Sequence, residues 1–153
     1  MHFGVRNPNH SYPLNVHTLE KIDSEKDLGV LIDTSLKFHK QTAAATKKAN
    51  QILGVIKRSY NKRDRITIGT LYKSMVRPHL EYGNVIWGPF YAGDKKDVES
   101  VQRRATKLVP ELKNMSYLDK FKALDIPTLE YKRSRVDMIQ CYKIFDIELH
   151  EDE

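Results

Sequence analysis

From residue 35 onward, apolar residues recur at the three- and four-residue spacing of helices. Over residues 36–60, Ala45, Ala49, Ile52, Leu53, Ile56 and Tyr60 fall within one face, as a core-facing helix requires. Lys40, Lys47, Gln51, Arg58 and Lys62 cluster on nearly the opposite side when each residue advances ~100°. Gly54 inside this helix costs ~1 kcal/mol relative to alanine, and its missing side chain suits close packing against another helix. Asp64 is a fitting N-cap for a second helix, whose stripe runs Ile68, Leu71, Tyr72, Met75, Val76, His79, Leu80, Ile86 and Trp87. Pro78 has no N–H, so this helix must kink or restart there. Gly88, Pro89 and Gly93 mark a loop. Asp94 then caps a third helix with the stripe Val98, Val101, Ala105 and Leu108, which Pro110 stops. Ser116-Tyr117-Leu118-Asp119 has the form of a capping box and opens a short helix holding Leu118, Phe121 and Leu124. Pro127, suited to a first helical position, opens the last helix over about residues 128–147.

The front of the chain follows a different pattern. Asn7-Pro8-Asn9 signals a turn between residues 2–6 and 12–17, which predicts a short hairpin. Leu28-Gly29-Val30-Leu31-Ile32 is a compact apolar run bounded by acids and reads as a strand. So small a β element cannot bury both of its faces alone. The expected fold is mainly α, a helical bundle of about five helices with a small N-terminal β hairpin or strand element. Three segments are expected: a β element at 1–33, a helical region at 34–147 and an acidic tail at 148–153.

Composition narrows the class. In a chain of 153 residues, 30% are charged and no apolar run approaches the ~20 residues needed to span a bilayer, so no membrane partner is expected. Met1-His2-Phe3-Gly4-Val5 lacks the basic and apolar blocks of a secretory signal. The single cysteine, Cys141, excludes an intrachain disulfide and fits a reducing setting. The protein is therefore expected to be intracellular, nuclear or cytoplasmic, and not secreted.

Charge changes the picture more. The net charge is +6, and eleven Lys or Arg lie between residues 37 and 77 against one acid, Asp64. Residues 146–153 hold five acids and no Lys or Arg. Such a basic block suits a polyanion, whose phosphates bind through Coulomb attraction and counterion release; a solvated helix face is the other reading.

No catalytic constellation is visible. Two-metal polymerase or nuclease chemistry needs converging carboxylates, and the chain has no Asp-Asp pair. Asp94, Asp97 and Glu99 sit at an expected helix start, where they favour the helix dipole. The six histidines lack zinc-ligand spacing, and Cys141 amid Met138, Tyr142 and Phe145 predicts a buried core thiol. No Gly-rich phosphate loop occurs. Basic pairs do recur, at Lys47-Lys48, Lys57-Arg58, Lys62-Arg63, Arg103-Arg104 and Lys132-Arg133. Tyr60, Tyr72, Tyr131 and Tyr142 lie near several of them; core or rim packing is the favoured role for these tyrosines over stacking on bases.

Five blocks in order carry a family resemblance. Asp27-Leu28-Gly29-Val30-Leu31-Ile32-Asp33 with Ser35-Leu36-Lys37-Phe38 is the first. Lys48-Ala49-Asn50 with Leu53-Gly54 is the second. Leu71-Tyr72-Lys73-Ser74-Met75-Val76-Arg77-Pro78-His79-Leu80-Glu81-Tyr82 with Val85-Ile86-Trp87 is the third. Val101-Gln102-Arg103-Arg104-Ala105-Thr106-Lys107 and then Leu124-Asp125-Ile126-Pro127-Thr128-Leu129-Glu130-Tyr131-Lys132-Arg133 complete the series. Together they resemble the segment after the palm in jockey-like LINE (non-long-terminal-repeat) retrotransposon reverse transcriptases. Five blocks in order are specific where one alone is weak.

The resemblance implies a thumb-like helical element that grips a template–primer duplex, preceded by the last strands of a palm. The fingers, the palm's aromatic-Ala-Asp-Asp motif and the endonuclease have no counterpart here. The expectation is thus a fragment with no catalytic residue and no enzymatic activity of its own. It needs no cofactor, since magnesium belongs to the full-length enzyme. Its expected partners are an RNA–DNA or DNA duplex, with RNA a further candidate, and the missing palm and fingers. The expected nucleic-acid contacts are Lys40, Lys47, Lys48, Arg58, Lys62, Arg63, Arg77, Arg103, Arg104, Lys107, Lys132 and Arg133. The alternative is a non-functional transposon remnant or a small helical protein-interaction module.

Overall fold

The computed structural model describes residues 1–4, 7, 8 and 10–150, with side chains up to residue 146. Its architecture is mainly α with a small β element in front. Two separate antiparallel hairpins form that element. Pro13–Leu14 (β1) pairs with His17–Thr18 (β2), and Ser24–Asp27 (β3) pairs with Val30–Asp33 (β4). The first differs from the hairpin expected between residues 2–6 and 12–17, of which residues 5, 6 and 9 lie outside the described ones. The strands meet instead across Asn15-Val16, where Asn15 takes a left-handed φ of 56°, a conformation asparagine tolerates well.

The second hairpin begins its strand two residues later than the apolar run suggests. Leu28 (φ 43°) and Gly29 (φ 87°) form the turn, with the positive φ pair of a tight hairpin. A Cβ on Gly29 would also lie 3.2 Å from the Tyr82 ring. That close approach lets the Tyr82 hydroxyl donate to the Leu28 carbonyl at 2.7 Å. At the hairpin's far end Asp33 accepts hydrogen bonds from the Ser35 amide (2.9 Å) and the Ser35 hydroxyl. The hydroxyl bond, ahead of backbone N–H groups, holds this carboxyl below its ordinary value. Because the folded value is lowered, the stabilisation is complete above the unfolded value near 3.8 and is lost as pH falls through the folded one. Urea unfolding below pH ~4 is therefore expected to show a steeper acid loss for wild type than for Asp33→Asn; equal acid limbs would contradict the assignment.

The helices are His39–Ser59 (α1), Arg65–Leu71 (α2), Arg77–Glu81 (α3), Asn84–Trp87 (α4), Ala92–Thr106 (α5), Tyr117–Leu124 (α6) and Leu129–His150 (α7). On α1 the expected stripe buries Ala45, Ala49, Leu53 and Ile56, with Ile52 half-buried. Tyr60 caps the helix and is exposed. Asp64 caps α2 as expected, accepting from the Thr67 amide at 2.7 Å. Pro78 is accommodated by a widened π turn over Tyr72–Val76, after which α3 restarts with Pro78 in its first turn. The Ser74 hydroxyl donates to the Thr70 carbonyl at 2.9 Å within this turn.

Three helix starts or faces depart from the sequence reading. α5 begins at Ala92, so Asp94 sits in its first turn rather than at the cap, and its carboxylate meets His39 Nδ1 at 2.7 Å. Thr128 caps α7, its hydroxyl accepting from the Tyr131 amide at 3.2 Å. Pro127 thus precedes the helix, and its carbonyl accepts from Gln102. Ser116 does cap α6, yet Leu118 is exposed while Phe121 and Leu124 are buried. Cys141 is exposed, not a core thiol, because α7 runs past the body and leaves Met138, Tyr142 and Phe145 in solvent as well. The acidic tail at 148–153 lies outside the described side chains.

The main core joins α1, the α2–π–α3 segment, α5, and the ends of α6 and α7 around Ile56, Tyr72, Val76, Val98, Val101 and Leu129. Inside it the Tyr72 hydroxyl donates to Gln102 Oε1 at 3.2 Å, and Gln102 Nε2 donates to the Pro127 carbonyl at 3.0 Å. Burial pushes the Tyr72 phenol well above its ordinary value. A second cluster of Val30, Ala45 and Trp87 seats the β3–β4 hairpin on the helices. No helix among the described residues is long and apolar enough to cross a membrane.

Candidate nucleic-acid interface

Helix α1 sets up the interface by amphipathicity. Its buried stripe fixes the rotation of the helix, and that rotation places Lys47, Lys48 and Arg58 in solvent. Among the described residues the side chains of these three and of Lys107 have no ion-pair or hydrogen-bond partner. Lys40 is exposed and donates to Ser24 Oγ at 3.1 Å. Lys62 is exposed and reaches Asp64 at 3.2 Å; so exposed a pair is worth little and is easily exchanged for a phosphate.

Where α1 packs on α5, the two helices leave an open groove of about 390 Å³. Leu53, Gly54 and Leu108 line it with Asn50, Lys57, Arg63, Arg104 and Lys107. Four cations and no acid therefore surround a partly apolar hollow. The Arg104 guanidinium donates to Asn50 Oδ1 at 3.0 Å, bridging the two helices. Arg63 returns from the loop after α1 and donates through Nη2 to the Lys57 carbonyl at 3.0 Å, satisfying a carbonyl at the helix end. Gly54 does not serve close helix packing: a Cβ there would meet nothing within 4 Å. Its effect is to keep the groove open. Lys47 and Arg58 stand seven and four residues from Gly54, so they share its side of α1.

The structure thus brings Arg63, Arg104 and Lys107 together, with Lys47 and Arg58 beside them. It sets four other expected contacts apart. Arg77 is buried, and its Nε donates to Glu81 Oε1 at 2.5 Å. Lys132 Nζ lies 2.5 Å from the other oxygen of the same carboxylate. Glu81 therefore binds two of the expected contact residues into a structural ion triad joining α3 to α7. Burial lowers the Arg133 guanidinium from its ordinary value, and this side chain is half-buried against α7's neighbours. Arg103 stacks on the Tyr117 ring, 4.6 Å from its centroid. Tyr117 in turn donates to Glu99 at 2.7 Å, and burial pushes its phenol up to about 12.

Sequence reading missed Lys57 and Asn50 as groove residues. The available signal was angular: Asn50 and Lys57 are three and four residues from Leu53 on the flank of the buried stripe. Of the four tyrosines near basic pairs, Tyr72 is core, while Tyr60, Tyr131 and Tyr142 are exposed. Among the described residues no group of three or more His, Cys, Asp or Glu side chains is placed to hold a metal ion.

Comparison with protein-family models, curated proteins and solved structures finds no match to this chain. The resemblance therefore rests on its five sequence blocks.

Proposed function

We propose that the chain is a thumb-like nucleic-acid-binding module that grips the backbone of an RNA–DNA or DNA duplex and contributes no catalytic group of its own. The observation that carries this reading is the two-sided α1, which buries one stripe in the core and presents unpaired Lys47 and Arg58 on the other. Lys40 and Lys62 extend this surface, and its cations bind phosphates without reading bases. The exposed apolar side chains Leu14, Val16 and Leu28 on the β element are ones that the palm of a reverse transcriptase would cover in this reading.

The test is the triple charge reversal Lys47→Glu, Arg58→Glu, Lys62→Glu, assayed by fluorescence anisotropy with a labelled RNA–DNA duplex. Affinity is expected to fall on the order of a hundredfold, as three phosphate contacts turn repulsive. An unchanged affinity in a folded variant would sink the reading. A protein-interaction module is the second reading, favoured by the exposed Met138, Tyr142 and Phe145 along α7; it requires that the wild-type chain bind no duplex.

A further inference from the structure

The groove between α1 and α5 has a chemistry that duplex backbone binding does not use. A duplex offers phosphates to cations but keeps its bases stacked and paired. A surface built only for a duplex has no use for an apolar floor. Here Leu53 and Leu108 form such a floor, open because residue 54 is glycine, inside a ring of Lys57, Arg63, Arg104 and Lys107. The hollow, about 390 Å³, is of the size that takes a small organic group.

We propose that this groove seats one nucleotide of a single-stranded nucleic acid, its base on the Leu53–Leu108 floor and its phosphate among the rim cations. The inference rests on the nucleic-acid-binding reading above and gives it a second ligand class. Two polar details support it. Arg63 Nε is buried without a hydrogen-bond partner among the described residues, so the groove wall holds an unmet donor in a cationic group. The Asn50 carboxamide oxygen is taken by Arg104, which leaves the amide NH2 as the donor for a carbonyl on a base edge. Bases also stack on guanidinium planes, and Arg63 and Arg104 both line the groove. Unpaired bases splay outward from a single strand, so a strand, unlike a duplex, delivers base and phosphate together.

Gly54→Leu is the discriminating variant. Its Cβ meets no neighbouring atom within 4 Å, and leucine favours a helix over glycine, so the chain folds while the added side chain fills the hollow. Anisotropy is measured with a short labelled oligouridine strand and separately with an RNA–DNA duplex, and uridine monophosphate is added as competitor. The expected result is a loss of strand affinity of about tenfold or more in Gly54→Leu, at least about fivefold greater than its loss of duplex affinity. Lys107→Ala, which removes an exposed rim cation, weakens strand binding in the same direction. Displacement by the mononucleotide shows that a free nucleotide also fills the seat; displacement only by competing strands assigns the seat to nucleic acid chains. Wild-type strand affinity in Gly54→Leu overturns the inference. Duplex binding without strand binding overturns it and leaves the backbone grip standing, whereas strand binding without duplex binding does the reverse.

Discussion

Trp87→Ala is expected to lower the unfolding free energy by about 3–5 kcal/mol, the largest effect of any single truncation in the chain. Trp87 is 1% exposed and is the largest of the fully buried side chains. It closes the second core cluster against Val30 and Ala45, so its loss opens a void that neither the hairpin nor α1 can fill without moving. Its indole N–H also donates to the Tyr82 carbonyl at 2.5 Å, a part-buried bond whose loss is already contained in that figure. Tyr82 in turn holds the Leu28 turn, so the β3–β4 hairpin should loosen together with the helices. Urea titration followed by circular dichroism measures the loss. Ile86→Ala, next in sequence but 60% exposed, serves as control and should stay within about 0.5 kcal/mol of wild type. Equal effects of the two substitutions would contradict the packing described.

Glu81→Ala should cost about 3 kcal/mol. The carboxylate is the acceptor for both Arg77 and Lys132, and Arg77 is buried, with Nη2 already lacking a partner among the described residues. Removing Glu81 strands a guanidinium charge beside the core, while Lys132, more exposed, relaxes into solvent. The same physics gives a rescue. The double replacement Arg77→Met, Glu81→Leu removes both charges at once and is expected to recover most of the stability, because no buried charge is left without compensation. If the double variant is as unstable as the sum of the singles, the ion triad is not the source of the cost.

The helices were legible because their burial follows local periodicity. Ala45, Ala49, Leu53 and Ile56 needed only the spacing within α1 to be placed in the core. The cap at Asp64 and the restart near Pro78 are likewise local chemistry, whereas α5 ends at Thr106, before the expected stop at Pro110. What was not legible depends on contacts between distant residues. Arg77 and Glu81 are one helical turn apart, but their burial depends on Lys132 from α7, 51 residues beyond Glu81. Asp94 reads as a cap, but α5 starts at Ala92, and the Asp94 carboxylate meets His39 of α1, 55 residues away. Periodicity also says which side chains share a face and not whether anything faces them. That is why Cys141, Met138 and Phe145 read as core and stand in solvent. The basic surface divided along the same line: Lys47 and Arg58 follow from the rotation of α1 alone, whereas the groove exists only because α5 packs beside it.

The proposed grip on nucleic-acid backbone rests on the charge of α1. The direct test is anisotropy of the wild-type chain with a labelled RNA–DNA duplex across a salt series. Binding that weakens steeply with salt is the predicted result, with the log–log slope falling by about three when Lys47, Arg58 and Lys62 are reversed, close to 0.9 per phosphate contact. A folded chain that binds no duplex at low salt, or binds with no salt dependence, would contradict the claim.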